Sequence, residues 1–388
     1  MAVDSATKDL ASLYRSQFSV FEHVTYVNSC SQGALADSVR KSFDTYIATL
    51  ELKGSAWGDW AGYQETMRSL FAEFFKVPTS EIAVTTSASA GVNAVASALD
   101  FTKKRNKIVT TENEFPTIGQ TWHAQELRGA VVQHIPSTKD LRVDVAAMIA
   151  AIDDETLIVS ITHGCYHNGA VTELEPIIEA AHKAGALVLV DAYQTVGAVP
   201  LNLSTLKADF VVGGTLKYLL GVPGVGFLYA RSETTSHLIP TSTGWFAAKD
   251  IFAMGIHSYD PAKDARRFES GTPAIPSLYP SSTGLQMVID IGIENIHSYV
   301  SGIHEAIRSG IEALGGTVIT PRNLAHHGAM LAVASLDENA HVSALEAENV
   351  VTSSRGGNIR VSPHFYNNYE DVEKIIAAFA KTNHFLRK

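Results

Sequence analysis

The sequence predicts an α/β protein: a mainly parallel, seven-stranded sheet with helices on both faces, followed by a smaller α+β region. Apolar, β-branched runs recur between residues 81 and 230, and helical patterns lie between most of them. That alternation is the mark of β–α–β units. Residues 186–190, Ala-Leu-Val-Leu-Val, are apolar at every position, as a strand buried on both faces must be. After about residue 265 the texture changes to long helical patterns and short strands.

In chain order, residues 1–22 read as an amphipathic helix and a loop, and residues 25–29 as a short β-like segment. Helical periodicity covers 34–53 and 59–76 around the loop-like Gly-Ser-Ala-Trp-Gly-Asp-Trp stretch. The apolar runs at 81–87, 107–113, 130–136, 156–164, 186–192, 209–214 and 224–230 are the expected strands. The clearest helix spans 172–185. Thr172 and Glu175 have capping-box spacing, and Gly185 suits the exit. A long helix is expected near 282–314, then short strands at 316–320, 329–335 and 358–362, then a final helix. The expected division is an N-terminal helical segment, 1–24, packing on a small C-terminal domain, 266–388, with a large domain, 25–265, between them.

Composition narrows the function. The chain of 388 residues is 46% hydrophobic and 18% charged, a soluble globular profile with room for two domains. Its formal net charge of −10 argues against a nucleic-acid partner. The densest basic cluster, residues 103–107, reads as a solvated loop before a strand. Cys30 and Cys165 do not make a disulfide framework, so a reducing compartment is expected. The N-terminus lacks a signal peptide's apolar core, and no run reaches membrane-spanning length. The expectation is a cytoplasmic protein.

Ligands of open α/β sheets bind at the carboxyl ends of the strands. Asp191 follows one apolar run directly, with Gln194 beyond it; a capping aspartate is the plain alternative. About one β–α–β step later, Lys217 follows the next run. An acid and a lysine at neighbouring strand ends have a specific use. Pyridoxal phosphate (PLP) needs a lysine for its Schiff base and an acid that keeps its ring nitrogen protonated. Apolar surroundings lower such a lysine's pKa and free it to attack an aldehyde. Residues 85–99 place small hydroxylated residues and glycine where a strand passes into a helix, a phosphate cradle with Ser87 and Ser89 as donors. An ordinary serine-rich cap reads the same way. Phe115, after another strand, either stacks on a cofactor ring or packs elsewhere. No G-x-G-x-x-G follows the first strand, and the glycines at 221–226 read as a tight turn. The histidines at 163, 167, 326, 327 and 364 show no metal spacing, so no metal is assigned. Trp57, Trp60, Trp122 and Trp245 either shape an apolar substrate pocket or pack in the core or an interface.

Eight pieces stand in the right order for the class V aminotransferase family of fold-type I PLP enzymes, which the sequence resembles from about residue 25 onward. They are residues 28–33, 87–93, 112–117, 162–169, 189–194, 213–221, 266–274 and 359–367. Relatives include cysteine desulfurases, isopenicillin N epimerase-like proteins and kynureninases. The resemblance implies a three-layer large domain and a PLP cofactor. Lys217 would be its Schiff-base lysine and proton shuttle, and Asp191 the partner of its ring nitrogen. Gln194 would bond its 3′-oxygen. Ser89 and the Ala88 backbone would hold its phosphate, with a hydroxyl from Thr215. Phe115 would stack on the ring, and Tyr166 would fall where desulfurases have asparagine. Arg360 would grip the substrate α-carboxylate, a task suited to a planar fork. Thr272 would reach the phosphate of a neighbouring subunit, and a homodimer with active sites at its interface is implied.

Two departures stand out. The histidine usual before the lysine is absent, and residues 350–362 run through without the loop and cysteine that carry a desulfurase's persulfide. The expectation is therefore a PLP enzyme acting on a small amino acid through an external aldimine, with transamination first. β-Elimination, such as C–S cleavage, is the alternative, then epimerisation or kynureninase-like hydrolysis. A non-catalytic binding module and a nicotinamide dehydrogenase are the rivals from other classes. The first has no need of Lys217, Asp191 and Arg360 together; the second lacks its glycine fingerprint.

Overall fold

A computed structural model describes residues 9–388. Among the described residues there are twelve strands: β1 (Thr25–Tyr26), β2 (Ile82–Thr85), β3 (Lys107–Thr111), β4 (Val131–Ile135), β5 (Thr156–Thr162), β6 (Leu187–Asp191), β7 (Phe210–Gly214), β8 (Gly226–Ala230), β9 (Leu331–Ala334), β10 (Val350–Val351), β11 (Ser353–Arg355) and β12 (Asn358–Val361). All of the apolar runs expected as strands join one seven-stranded sheet, in the order β2-β8-β7-β6-β5-β3-β4. Neighbours are parallel except at β8, which is antiparallel to β7 and β2. β8 reverses because the loop after β7 returns without a crossover helix, and parallel pairing needs one.

The strands alternate between two cores because successive Cβ atoms point to opposite faces. Val188 and Val190 of β6 face one core with Val159, Ile161 and Val211. Leu189 faces the other with Ile158, Phe210 and Val212. Fully burying each such side chain contributes roughly 1.5–3 kcal/mol. The second core is closed by helices Ala88–Ala98 and Pro116–Ala124, whose N-termini lie at the sheet's carboxyl edge.

Several boundaries differ from expectation. The long helix is two, Ile275–Ile291 and Ile293–Ala313, because Gly292 between them has φ 88°, outside the helical range. The helix expected from Thr172 starts at Glu175 after Leu174, with no side-chain cap. Thr172 instead donates its N–H to the His163 carbonyl. Gly185 ends that helix at φ 78°. Residues 316–320 form no strand, only a bridge between Val318 and Val333. β9, β12 and β11 make a small antiparallel sheet, and β1 pairs in parallel with β10.

The segment before β1 lies on the C-terminal residues. Arg15 donates to both Asp371 oxygens, at 2.6 and 2.9 Å, and Phe18 packs on Phe365 and Tyr366. Among the described residues no helix is long and apolar enough to cross a membrane.

Candidate active site

β6 ends on Asp191, which is buried and whose Oδ1 accepts the Tyr193 N–H at 2.9 Å. Burial raises its carboxyl above the usual value, while the Tyr193 N–H and the Lys217 charge pull the other way. β7, parallel to β6, leads into the loop that carries Lys217. That loop is pinned from behind. The Gly33 N–H donates to the Leu216 carbonyl at 2.9 Å, and a Cβ on Gly33 would stand 2.3 Å from the Lys217 carbonyl oxygen.

The Lys217 amine is half-buried, with Nζ 4.3 Å from the centre of the Tyr193 ring and 5.9 Å from that of Phe115. Burial lowers its pKa to about 8; the Cys30 thiol and Asp191 oppose that fall, and Arg360 adds to it. Lys217 and Asp191 open into one cavity of about 270 Å³, shared with Gln194, Phe115, Tyr166, Ser89 and Ala88.

Each wall has a distinct chemistry. Phe115 precedes Pro116 at the start of its helix and is 43% exposed, with an edge-to-face contact to Tyr166 at 5.1 Å. Ser87 caps helix Ala88–Ala98 by accepting the Ala90 N–H at 3.1 Å. The N–H groups of Ala88 and Ser89 stay free of helical partners, as those of a first turn do. Ser89 donates its hydroxyl to Thr117 at 3.2 Å, so two helix N-termini meet at one point. Such a junction suits a phosphate. The Gln194 Nε2 donates to the Cys30 carbonyl at 3.3 Å, while its buried Oε1 has no partner. The polar groups thus fit a phosphorylated ring with a protonated nitrogen and an aldehyde: two free amides and hydroxyls where the two helices meet, Asp191 and the Gln194 amide beside the ring, and an amine of lowered pKa. Thr162, Tyr193 and Thr117 also line the cavity; they lie at the end of β5, in the turn after β6 and in the first turn of helix Pro116–Ala124, and no periodicity marked them in the sequence.

Arg360, in β12, is buried beside the cavity rather than among the residues lining it. It donates to Ser353 Oγ (2.9 Å), Ser31 Oγ (3.1 Å) and the Tyr166 carbonyl (3.3 Å), and it pairs with no carboxylate among the described residues. A buried guanidinium without an anion is costly, and a bound carboxylate would relieve that cost.

Thr215 and Thr272 do not line this chain's cavity, which for Thr272 accords with a role toward a neighbouring subunit. The Thr215 hydroxyl is turned into its own loop, against the Val222 and Val225 carbonyls and Ser281 Oγ, and does not reach the cavity. Thr272 is exposed and accepts the Trp245 indole N–H at 3.4 Å, away from this chain's cavity. The tryptophans do not shape the pocket. Trp122 is fully buried core, and Trp57 packs against Trp60 and Trp245 in a separate cluster. β11 and β12, in the stretch where the sequence lacks a desulfurase's cysteine loop, are joined by a two-residue turn, Gly356–Gly357, with φ 60° and 82°. That is a tight hairpin. Both cysteines are buried, Cys30 at 1% and Cys165 at 3% exposure.

The fold and the lysine–aspartate cavity are those expected of a cofactor-dependent α/β enzyme. The aminotransferase class-V family model matches residues 57–375, so the chain belongs to that family of PLP-dependent enzymes. The chain is 33% identical to an uncharacterized aminotransferase, YcbU, of Bacillus subtilis (strain 168), over 96% of this chain and 98% of that one. It is 27% identical to a probable cysteine desulfurase of Pyrococcus abyssi, covering 84% of each. Kynureninases are also among its relatives. In three dimensions it resembles apo cysteine desulfurase from Thermococcus onnurineus NA1, with a TM-score of 0.86 at 23% identity, over 96% of this chain and 97% of that one.

Proposed function

We propose that the chain binds PLP in this cavity and transaminates a small amino acid. The observation that carries the reading is the convergence of Lys217 and Asp191 on one cavity with the unpaired Arg360 beside it. The cofactor supplies an aldehyde that captures amines and an electron-poor ring that weakens bonds at the captured carbon.

The protein's part follows from its residues. A drop from 10.5 to about 8 raises the neutral fraction of the Lys217 amine roughly 300-fold near neutral pH. Lys217 Nζ is then able to accept and return a proton at the substrate's α-carbon. Asp191, with the Tyr193 N–H on Oδ1, holds a negative charge where the ring nitrogen would lie. The Ala88 and Ser89 amides would anchor the phosphate, and Phe115 would lie against the ring. Arg360 turns the α-carboxylate toward Lys217.

The tight Gly356–Gly357 turn and the buried cysteines speak against persulfide chemistry, and the YcbU relative supports transamination. The test is to offer the PLP-loaded protein a panel of amino acids of both hands. Release of the matching keto acid, with the cofactor converted to its amine form, supports the proposal. Release of pyruvate or sulfide with the aldehyde form restored would replace transamination by elimination.

A further inference from the structure

Glu114 sits one residue before Phe115, in the turn after β3, and is buried at 8% exposure. Its Oε1 accepts two hydrogen bonds, from the Thr111 hydroxyl at 2.9 Å and from the Thr162 N–H at 2.8 Å. Its Oε2 is buried with no partner. Thr162 is the last residue of β5 and the register partner of Asp191 on β6. Two carboxyls are therefore buried at adjacent strand ends.

The groups facing Glu114 are Thr111 from β3, Thr162 from β5, Asp191 from β6 and the Cys165 thiol from the turn after β5. None is a cation. The positive charge of Lys217 acts on Asp191, and Glu114 makes no ion pair among the described residues. A buried carboxylate without a cation is expensive, and protonation removes its charge. Environments that push two neighbouring carboxyls apart assign them different roles.

We propose that Glu114 is a second, neutral carboxyl of the site: it keeps its proton at neutral pH, ties the end of β3 to the end of β5, and leaves the negative charge to Asp191. Burial, and after it the Asp191 charge, moves Glu114 in the same direction, up to about 8. Through its backbone, Glu114 also fixes where Phe115 leaves β3. It is a positioning residue, since it does not line the cavity. Only its value to a bound cofactor rests on the PLP reading above.

The proton is read without cofactor, by infrared spectroscopy of the apo protein. The expected result is a protonated-carboxyl band at neutral pH that fades through the alkaline range. Carbon-13 in glutamate side chains should shift the band and carbon-13 in aspartate should not, which needs no variant to fold. Glu114→Gln should delete the band. Asp191→Asn, which removes the neighbouring charge, should move its midpoint to lower pH. A missing band, an aspartate-derived band, or an unmoved midpoint would overturn the proposal. PLP titration at pH 7 supplies the second reading. Glu114→Gln, neutral like the native acid, should bind within about threefold of wild type; a loss of tenfold or more would show that the charge of Glu114 is used, against the proposal.

Discussion

Gly33 and Lys217 touch through their backbones: a methyl group on Gly33 would stand 2.3 Å from the Lys217 carbonyl oxygen and 3.0 Å from a Leu220 methyl. The oxygen belongs to the backbone that carries the reactive lysine, so it cannot give way alone. Gly33→Ala should cost about 1–3 kcal/mol of stability and shift Lys217 in its seat. Thermal unfolding and PLP titration check this; native stability with native PLP affinity would show that the two segments pack loosely.

Arg360→Ala should weaken amino-acid binding while leaving PLP affinity unchanged. Loss of a charge-assisted pairing of about 2 kcal/mol corresponds to some thirtyfold. Arg360→Lys should rescue little, because an ammonium group lacks the planar fork that spans Ser31, Ser353 and the Tyr166 carbonyl. Amino-acid titrations of the PLP-loaded variants, followed by absorbance, are the measurement.

Glu114→Gln should change how stability depends on pH. The native carboxyl titrates at about 8 in the folded protein against 4.5 for the free group. Between those values the unfolded chain has released a proton that the folded chain keeps. Native stability from this group is therefore full below pH 4.5 and falls by up to about 1.4 kcal/mol per pH unit toward 8. The variant should lose that slope and gain on wild type as pH rises from 5 to 8, in urea unfolding at several pH values. Parallel curves would contradict the buried proton.

Acid should destabilise the protein through its buried histidines. Burial lowers His163 and His364 to about 4, below the ordinary 6.5. The unfolded chain takes up protons between those values that the folded chain refuses, so stability falls as pH drops from 6.5 to 4, by up to about 1.4 kcal/mol per pH unit for each. Urea midpoints at pH 7 and pH 5 test this, and His163→Gln should reduce the difference.

The strands of the large sheet were legible because burial on both faces leaves continuous apolar runs. Asp191 and Lys217 were legible because they end such runs. Thr215 shows the limit: its nearness to Lys217 in sequence says nothing about which way its hydroxyl points, and loop closure with Val222, Val225 and Ser281 claims it. Tyr193 and Glu114 were hidden for a related reason. Each sits beside a recognised residue, and its role comes from the neighbouring strand end, which only the sheet order supplies. The pairing of β1 with β10 joins residues far apart in sequence and leaves no local pattern.

The most direct test of the account is to find where the cofactor attaches. The protein is incubated with PLP, reduced with borohydride, digested and mapped by mass spectrometry. The expected result is one pyridoxyl-modified lysine, Lys217, and no such modification in Lys217→Ala. A label fixed on another lysine, or none at saturating PLP, would contradict the assignment of this cavity as the active site.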